Sequence, residues 1–125
     1  MRGLEQKPIL VVDDDLGARE AMSEFLRLHG FTVACAENGQ AALDHICNWQ
    51  VEPALILLDV LMPVMDGHTF LKHAQQDDRI KNIPIIVTTA QPSASPLGAS
   101  ATLAKPVRPE RLLTLVRRFV QSAAA

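Results

Sequence analysis

The chain contains no tyrosine and one tryptophan, and aromatics make up only 4% of its 125 residues. Cysteine is nearly as scarce. Cys35 and Cys47 are the only two, and their spacing fits no metal-binding pattern. Two such thiols in a cytosolic chain read as reduced and structural. No apolar run approaches the roughly 18 residues that spanning a bilayer requires. The N-terminal MRGLEQKP also lacks the apolar centre of a signal peptide. These absences predict a cytoplasmic protein. Charge of one sign is missing too: a formal net charge of −2 supplies no field for nucleic acid or an anionic membrane.

What is present is apolar and patterned. A hydrophobic fraction of 48% argues against disorder, and the length suits one domain over residues 1–125, with its core at about 7–121. The stretch ALILLDVLMPVMDG, residues 54–67, organises the rest. Ala54 to Leu58 form a short unbroken apolar run, as in a strand buried on both faces, and Asp59 sits where that strand ends. Ile9 to Val12 form a second such run, ending on Asp13, Asp14 and Asp15. Further strands are predicted over Phe31–Ala36, Pro84–Thr89 and Ala101–Ala104. Helical periodicity fills the intervals. Ala18, Ala21, Met22, Phe25 and Leu26 recur on one stripe, with Asp15 as N-cap and Gly30 as the stop. Ala42, Leu43, Ile46 and Cys47 face inward on the second helix, and Phe70, Leu71 and Ala74 on a third from about Gly67 to Gln76. The last helix starts near Pro109, with Leu112, Leu113, Val116, Phe119 and Val120 inside and Arg111, Arg117 and Arg118 outside. Five apolar runs alternating with helices predict an α/β fold, a doubly wound five-stranded parallel sheet.

In such sheets ligands bind beyond the carboxyl ends of the strands. Strands one and three, as central neighbours, bring Asp13, Asp14 and Asp59 around one small space. Three converging carboxylates repel unless a hard cation neutralises them, and magnesium suits an all-oxygen donor set. Asp15 is assigned to helix capping instead. Thr89 and Lys105, at the ends of strands four and five, add a hydroxyl and a fixed cation. A metal, a carboxylate, a hydroxyl and an ammonium are what a transferred phosphoryl group needs. His29, His45, His68 and His73 lack i, i+4 pairing and are read as surface polar residues. Trp49 is read as a lid on the core, and the arginines of the last helix, with Arg108, as a solvated face.

Together, ILVVDDD, LILLDVLMPVMDG, PIIVTTA and TLAKP, with ENGQAAL after the second strand, resemble the receiver domain of two-component response regulators over nearly the whole chain. The resemblance implies a flavodoxin-like sheet of order 2-1-3-4-5. It implies Asp59 as the phosphorylated aspartate, Asp14 as a direct Mg2+ ligand and Asp13 as one acting through water. The backbone carbonyl of Leu61 completes the metal site, Thr89 and Lys105 grip the phosphoryl oxygens, and Lys105-Pro106 is often cis. It implies a sensor histidine kinase or histidine phosphotransfer protein as donor and a downstream protein target. Homodimers are within the family's range, and neither nucleic acid nor membrane is expected to bind this domain. Beyond transferring a phosphoryl group to its own aspartate and releasing it, no conventional enzyme activity is implied.

Two departures coincide. Family members usually carry a full helix between the switch hydroxyl and the lysine. Here QPSASPLGAS fills that interval, with Pro92, Pro96 and Gly98 in it. A crossover with its helix needs at least about 10–12 residues, and proline disfavours helix at the preceding position. This fourth helix is therefore predicted absent or a single turn. The family's usual aromatic three residues before the lysine is Thr102 here. The predicted signal then leaves through Gln91 to Ser100. A phosphohydrolase with an aspartate nucleophile on strand one is the alternative, but Gly17 stands where that class wants Thr or Val. A vestigial binding module is the third possibility, opposed by the retention of all five polar side chains.

Overall fold

The computed structural model describes residues 7–48, 52–60, 67–90 and 98–124, the last four by backbone alone. Its elements alternate strictly at first: β1 (Ile9–Val12), α1 (Leu16–Leu28), β2 (Val33–Ala36), α2 (Gly39–Asn48), β3 (Leu55–Asp59), α3 (Gly67–Gln76), β4 (Ile85–Thr89), β5 (Ala101–Ala104) and α4 (Pro109–Ala124). The five strands form one parallel sheet of order β2-β1-β3-β4-β5, as expected. Among the described residues no helix is long and apolar enough to cross a membrane.

The unbroken apolar runs are explained by how a strand deals side chains to alternate faces. Leu10, Val12, Ile56, Leu58 and Val87 enter one core, beneath α2 and α3, with Ala42, Ile46, Phe70 and Leu71. Ile9, Val11, Leu55, Leu57, Ile86 and Leu103 enter the other, with Leu26 from α1 and Leu112, Leu115 and Val116 from α4. Both faces of the central strands are covered, so neither can be polar. Leu55, Ile56, Leu57 and Leu58 are all 0–1% exposed. Truncating any one of them to alanine costs about 2–5 kcal/mol.

The helix ends follow local chemistry. Asp15 is in extended conformation at the N-cap of α1, and its side chain accepts from the Gly17 amide. Past the other end Gly30 adopts φ 93°, the left-handed turn that stops the helix. Asn38 caps α2, its Oδ1 accepting from the Ala41 amide at 2.8 Å.

Three inward assignments are corrected. On α1, Leu26 is buried and Met22 and Phe25 pack against the core as expected, but Ala18 and Ala21 are exposed and Ser23 is buried. The helix is turned so that Ser23 faces β2, where its Oγ donates to the Arg19 carbonyl at 2.7 Å and meets Cys35 Sγ at 3.0 Å. Alanines are too small to fix a helix's rotation against a competing contact. On α2, Ala42 and Ile46 are buried but Cys47 is exposed, since the packed stripe is centred one residue earlier. On α4, Leu112 and Val116 are buried with Leu115, and Phe119 and Val120 pack against that core as expected, while Leu113 is only half-buried and outside it. β2 begins at Val33 rather than Phe31.

Four helices occur among the described residues, the fourth being the C-terminal one. The expected loss of a helix between β4 and β5 concerns mainly residues 91–97, which lie outside the described residues. Flanking them, Ala90 and Gly98–Ser100 are not helical. Trp49 and Leu61 also lie outside the described residues.

Candidate functional site

Strand parity builds the site. Continuing the Ile9-Val11 face of β1 by two residues gives Asp13. The Leu55-Leu57 face of β3 leads to Asp59, the Ile86 face of β4 to Thr88, and the Leu103 face of β5 to Lys105. Four adjacent strands thus carry four polar side chains at one edge of one sheet face, where the apolar core beneath α1 and α4 gives way to solvent. Asp13 and Asp59 are buried, at 6% and 5% exposure, whereas Asp14, on the first loop, is exposed.

Lys105 Nζ donates to Asp59 Oδ1 at 2.9 Å. The lysine backbone is pinned as well, its amide donating to the Thr89 carbonyl at 2.9 Å, and the Lys105-Pro106 bond is cis as the resemblance implied. Burial alone would lower the Lys105 pKa. Its hydrogen bond to Asp59 and the charges of Asp59, Asp13 and Asp14 outweigh burial and raise it. Asp13 is shifted upward too, first by burial and further by the charges of Asp59 and Asp14. The Asp15 amide, donating to Asp13 Oδ1 at 2.9 Å, and the Lys105 charge oppose that shift.

One carboxylate oxygen from each of Asp13, Asp14 and Asp59 lies within 4.8 Å of the others. Three negative oxygens at that separation, two of them buried, fit a hard cation with an oxygen-only donor set. The sequence-predicted Asp13, Asp14, Asp59 and Lys105 are therefore brought together. Thr89 is the half-buried last residue of β4, at the strand tip but, by parity with Val87, on the opposite face. Leu61 is outside the described residues.

Two residues were not singled out from sequence. Arg19 reaches back from α1 to donate from Nη1 to the Asp13 carbonyl at 2.6 Å, tying the helix to the acidic loop. Thr88 is 3% exposed and lines the same cavity as Asp59 and Lys105. Counting by twos along each apolar run would have found Thr88. Nothing local in the sequence marks Arg19.

The cavity holds about 600 Å³ and is walled on its apolar side by Met22 and Phe25 of α1 and by Val107 and Leu112. A family model for the response regulator receiver domain matches residues 9–117. The chain belongs to that family. This receiver domain is 34% identical over 119 residues to the response regulator Rre1 of Synechocystis sp., an alignment covering 90% of the chain and 51% of that protein. It is 30% identical to the sensor histidine kinase CheAY of Helicobacter pylori, over 90% of the chain and 15% of that protein. Among solved structures, the chemotaxis response regulator CheY4 of Vibrio cholerae superposes with a TM-score of 0.80 at 32% identity, covering 91% of this chain and 98% of that one. TrrA of Thermotoga maritima, solved in complex with magnesium and beryllium fluoride, gives 0.80 at 30% identity, over 91% and 99%. The receiver domain spans about half the length of the curated response regulators it matches.

Proposed function

We propose that the domain accepts a phosphoryl group on Asp59 from a phosphohistidine of a sensor kinase or phosphotransfer protein, or from a small phosphodonor. The observation that carries this reading is the position of Asp59. Its buried carboxylate closes the central strand, with the Lys105 ammonium at 2.9 Å on one side and the oxygens of Asp13 and Asp14 within 4.8 Å on the other. In the transfer, an Asp59 oxygen attacks phosphorus, the bond from phosphorus to the donor breaks, and a donor imidazole leaves with the bonding pair. Hydrolysis of the acyl phosphate returns the carboxylate.

Asp13, Asp14 and Asp59 would hold magnesium, with the carbonyl of Leu61 as the fourth protein ligand. Bound there, magnesium neutralises charge on the phosphoryl oxygens. Lys105 is already aimed at the acceptor and needs only to follow the new oxygens outward. Thr89 starts on the opposite face at the tip of β4, so its hydroxyl must swing across the strand end to reach the same group. The added charge and acceptor oxygens draw these two residues to a new arrangement, which a downstream protein reads.

Intact-mass spectra test the assignment. With acetyl phosphate and magnesium the parent gains one phosphoryl group, and Asp59→Asn gains none. Undiminished labelling of that variant refutes Asp59 as acceptor.

A further inference from the structure

Thr88 is the one polar residue of the strand-tip cluster with no assigned part. It is paired in register with Asp59 on β3 and with Leu103 on β5, and it shares their face of the sheet. Placing a hydroxyl where Ile86 and Leu103 continue as apolar neighbours carries a cost, because a buried hydroxyl is penalised unless it is hydrogen-bonded. Valine has the same shape without that penalty. Yet among the described residues the Thr88 side chain makes no hydrogen bond, not even to its own strand. Among the described residues no sealed side-chain polar atom lacks a partner, so this hydroxyl opens onto the cavity that Asp59 and Lys105 line.

The strand order says what passes over it. Lys105 follows β5 and Asp59 ends β3, with β4 between them. To reach Asp59 Oδ1, the lysine side chain crosses the end of β4 on the face that carries Thr88. An ammonium has three donors, and the bond to Asp59 uses one. When Asp59 becomes an acyl phosphate, the carboxylate charge that held Lys105 moves outward onto the phosphoryl oxygens.

We propose that Thr88 is a positioning residue for Lys105, its hydroxyl accepting from the ammonium so that Lys105 stays across β4 while its other bond passes from Asp59 to a phosphoryl oxygen. This rests on Asp59 being the acceptor. The role differs from that of Thr89, whose hydroxyl addresses the phosphoryl group itself.

The test compares the full chain with Thr88→Val and Thr88→Ser, using acetyl phosphate and magnesium. Thr88→Val labels about three- to tenfold more slowly at saturating donor, as loss of one hydrogen bond in the transition state predicts. Its half-saturating donor and magnesium concentrations match the parent, and Thr88→Ser labels at the parent rate. Parent-like labelling of Thr88→Val overturns the proposal. So does a defect confined to half-saturation, or a Thr88→Ser as slow as the valine variant. A crystal structure of the parent with magnesium and beryllofluoride gives an answer that does not depend on any variant folding. Lys105 Nζ within about 3.5 Å of Thr88 Oγ1 is expected, and a longer separation overturns the proposal. Undiminished labelling of Asp59→Asn would instead overturn the acceptor assignment beneath it.

Discussion

Gly67 stands directly against Val60: a Cβ on Gly67 would lie 2.7 Å from the Val60 Cα and 2.9 Å from the Asp59 carbonyl oxygen. The Gly67 amide also donates to the Val60 carbonyl at 2.8 Å, so α3 begins against the peptide that follows Asp59. Backbone cannot swing aside as a side chain can. Gly67→Ala should therefore cost about 1–3 kcal/mol, the range for overpacking, and slow phosphorylation by displacing Asp59. Gly30→Ala is the control. Its φ of +93° strains alanine but nothing lies within 4 Å of the added methyl. A loss of about 1 kcal/mol is expected there, with labelling at the parent rate. Denaturant melts and labelling rates that fail to separate the two variants would refute this account of Gly67.

If the acidic cluster holds magnesium as proposed, it does so at a cost in apo stability. Asp13 is buried, and its carboxyl is pushed up by that burial and by the neighbouring charges of Asp59 and Asp14. Without metal, Asp13→Asn should melt above the parent, since it removes a disfavoured charge and keeps an oxygen for the Asp15 amide. Asp14→Asn, at an exposed site, should gain less. Both variants should lose most of the stabilisation that magnesium gives the parent. Thermal melts in which either variant responds to magnesium as strongly as the parent would exclude that residue as a ligand.

The sheet was legible because burial on both faces leaves a strand few polar positions, and the runs of β1, β3 and β4 stand out in this way between helical periods. The bounds of β5 and α3 follow for a related reason, each being flanked by proline, glycine or a charge cluster. Rotation of α1 was not legible. Its stripe contains alanines that pack equally well in or out, and the deciding contact is Ser23 against Cys35 of β2, a pairing that only the folded sheet creates. At the site, each acid and Lys105 could be found because it ends an apolar run. Thr88 did not stand out beside Thr89, because two hydroxyls sit side by side and only parity counted against Asp59 separates the faces they occupy.

Metal binding should also depend on pH in a direction fixed by Asp13. Its folded-state pKa lies above the ordinary 3.8, and a ligand must be deprotonated to hold a cation. Magnesium-induced stabilisation should be complete near neutrality and decline as pH falls through that raised value. For the apo protein the sign is opposite. The stability Asp13 contributes is fully present below 3.8 and is lost as pH rises through the folded value. Parent and Asp13→Asn should therefore converge in apo stability at the acidic end and separate toward neutrality. A gap that is constant with pH would exclude this titration as its source.

The sequence predicts that the signal leaves through the chain between β4 and β5, and this can be tested. Thr102 occupies the place of the family's aromatic, so ring rotation is not available there. The described end of this crossover passes Gln75 of α3 at Gly98, whose φ of +96° strains any residue with a side chain. Ser100 is bound to Ile85 both ways, its amide donating to the Ile85 carbonyl at 2.7 Å and its hydroxyl accepting from the Ile85 amide at 3.1 Å. Ile85 starts the strand that ends in Thr88 and Thr89, so a shift of the Thr89 hydroxyl toward a phosphoryl group can be felt at Ser100 along one strand. Coupling of about 1–3 kcal/mol is typical between such sites. Adding magnesium and beryllofluoride should therefore slow hydrogen exchange of the Ser100 amide by about 5- to 150-fold, and Gly98→Ala, strained at its φ of +96°, should blunt that response. If exchange at Ser100 stays fixed while another surface of the domain responds, the output does not pass through this crossover.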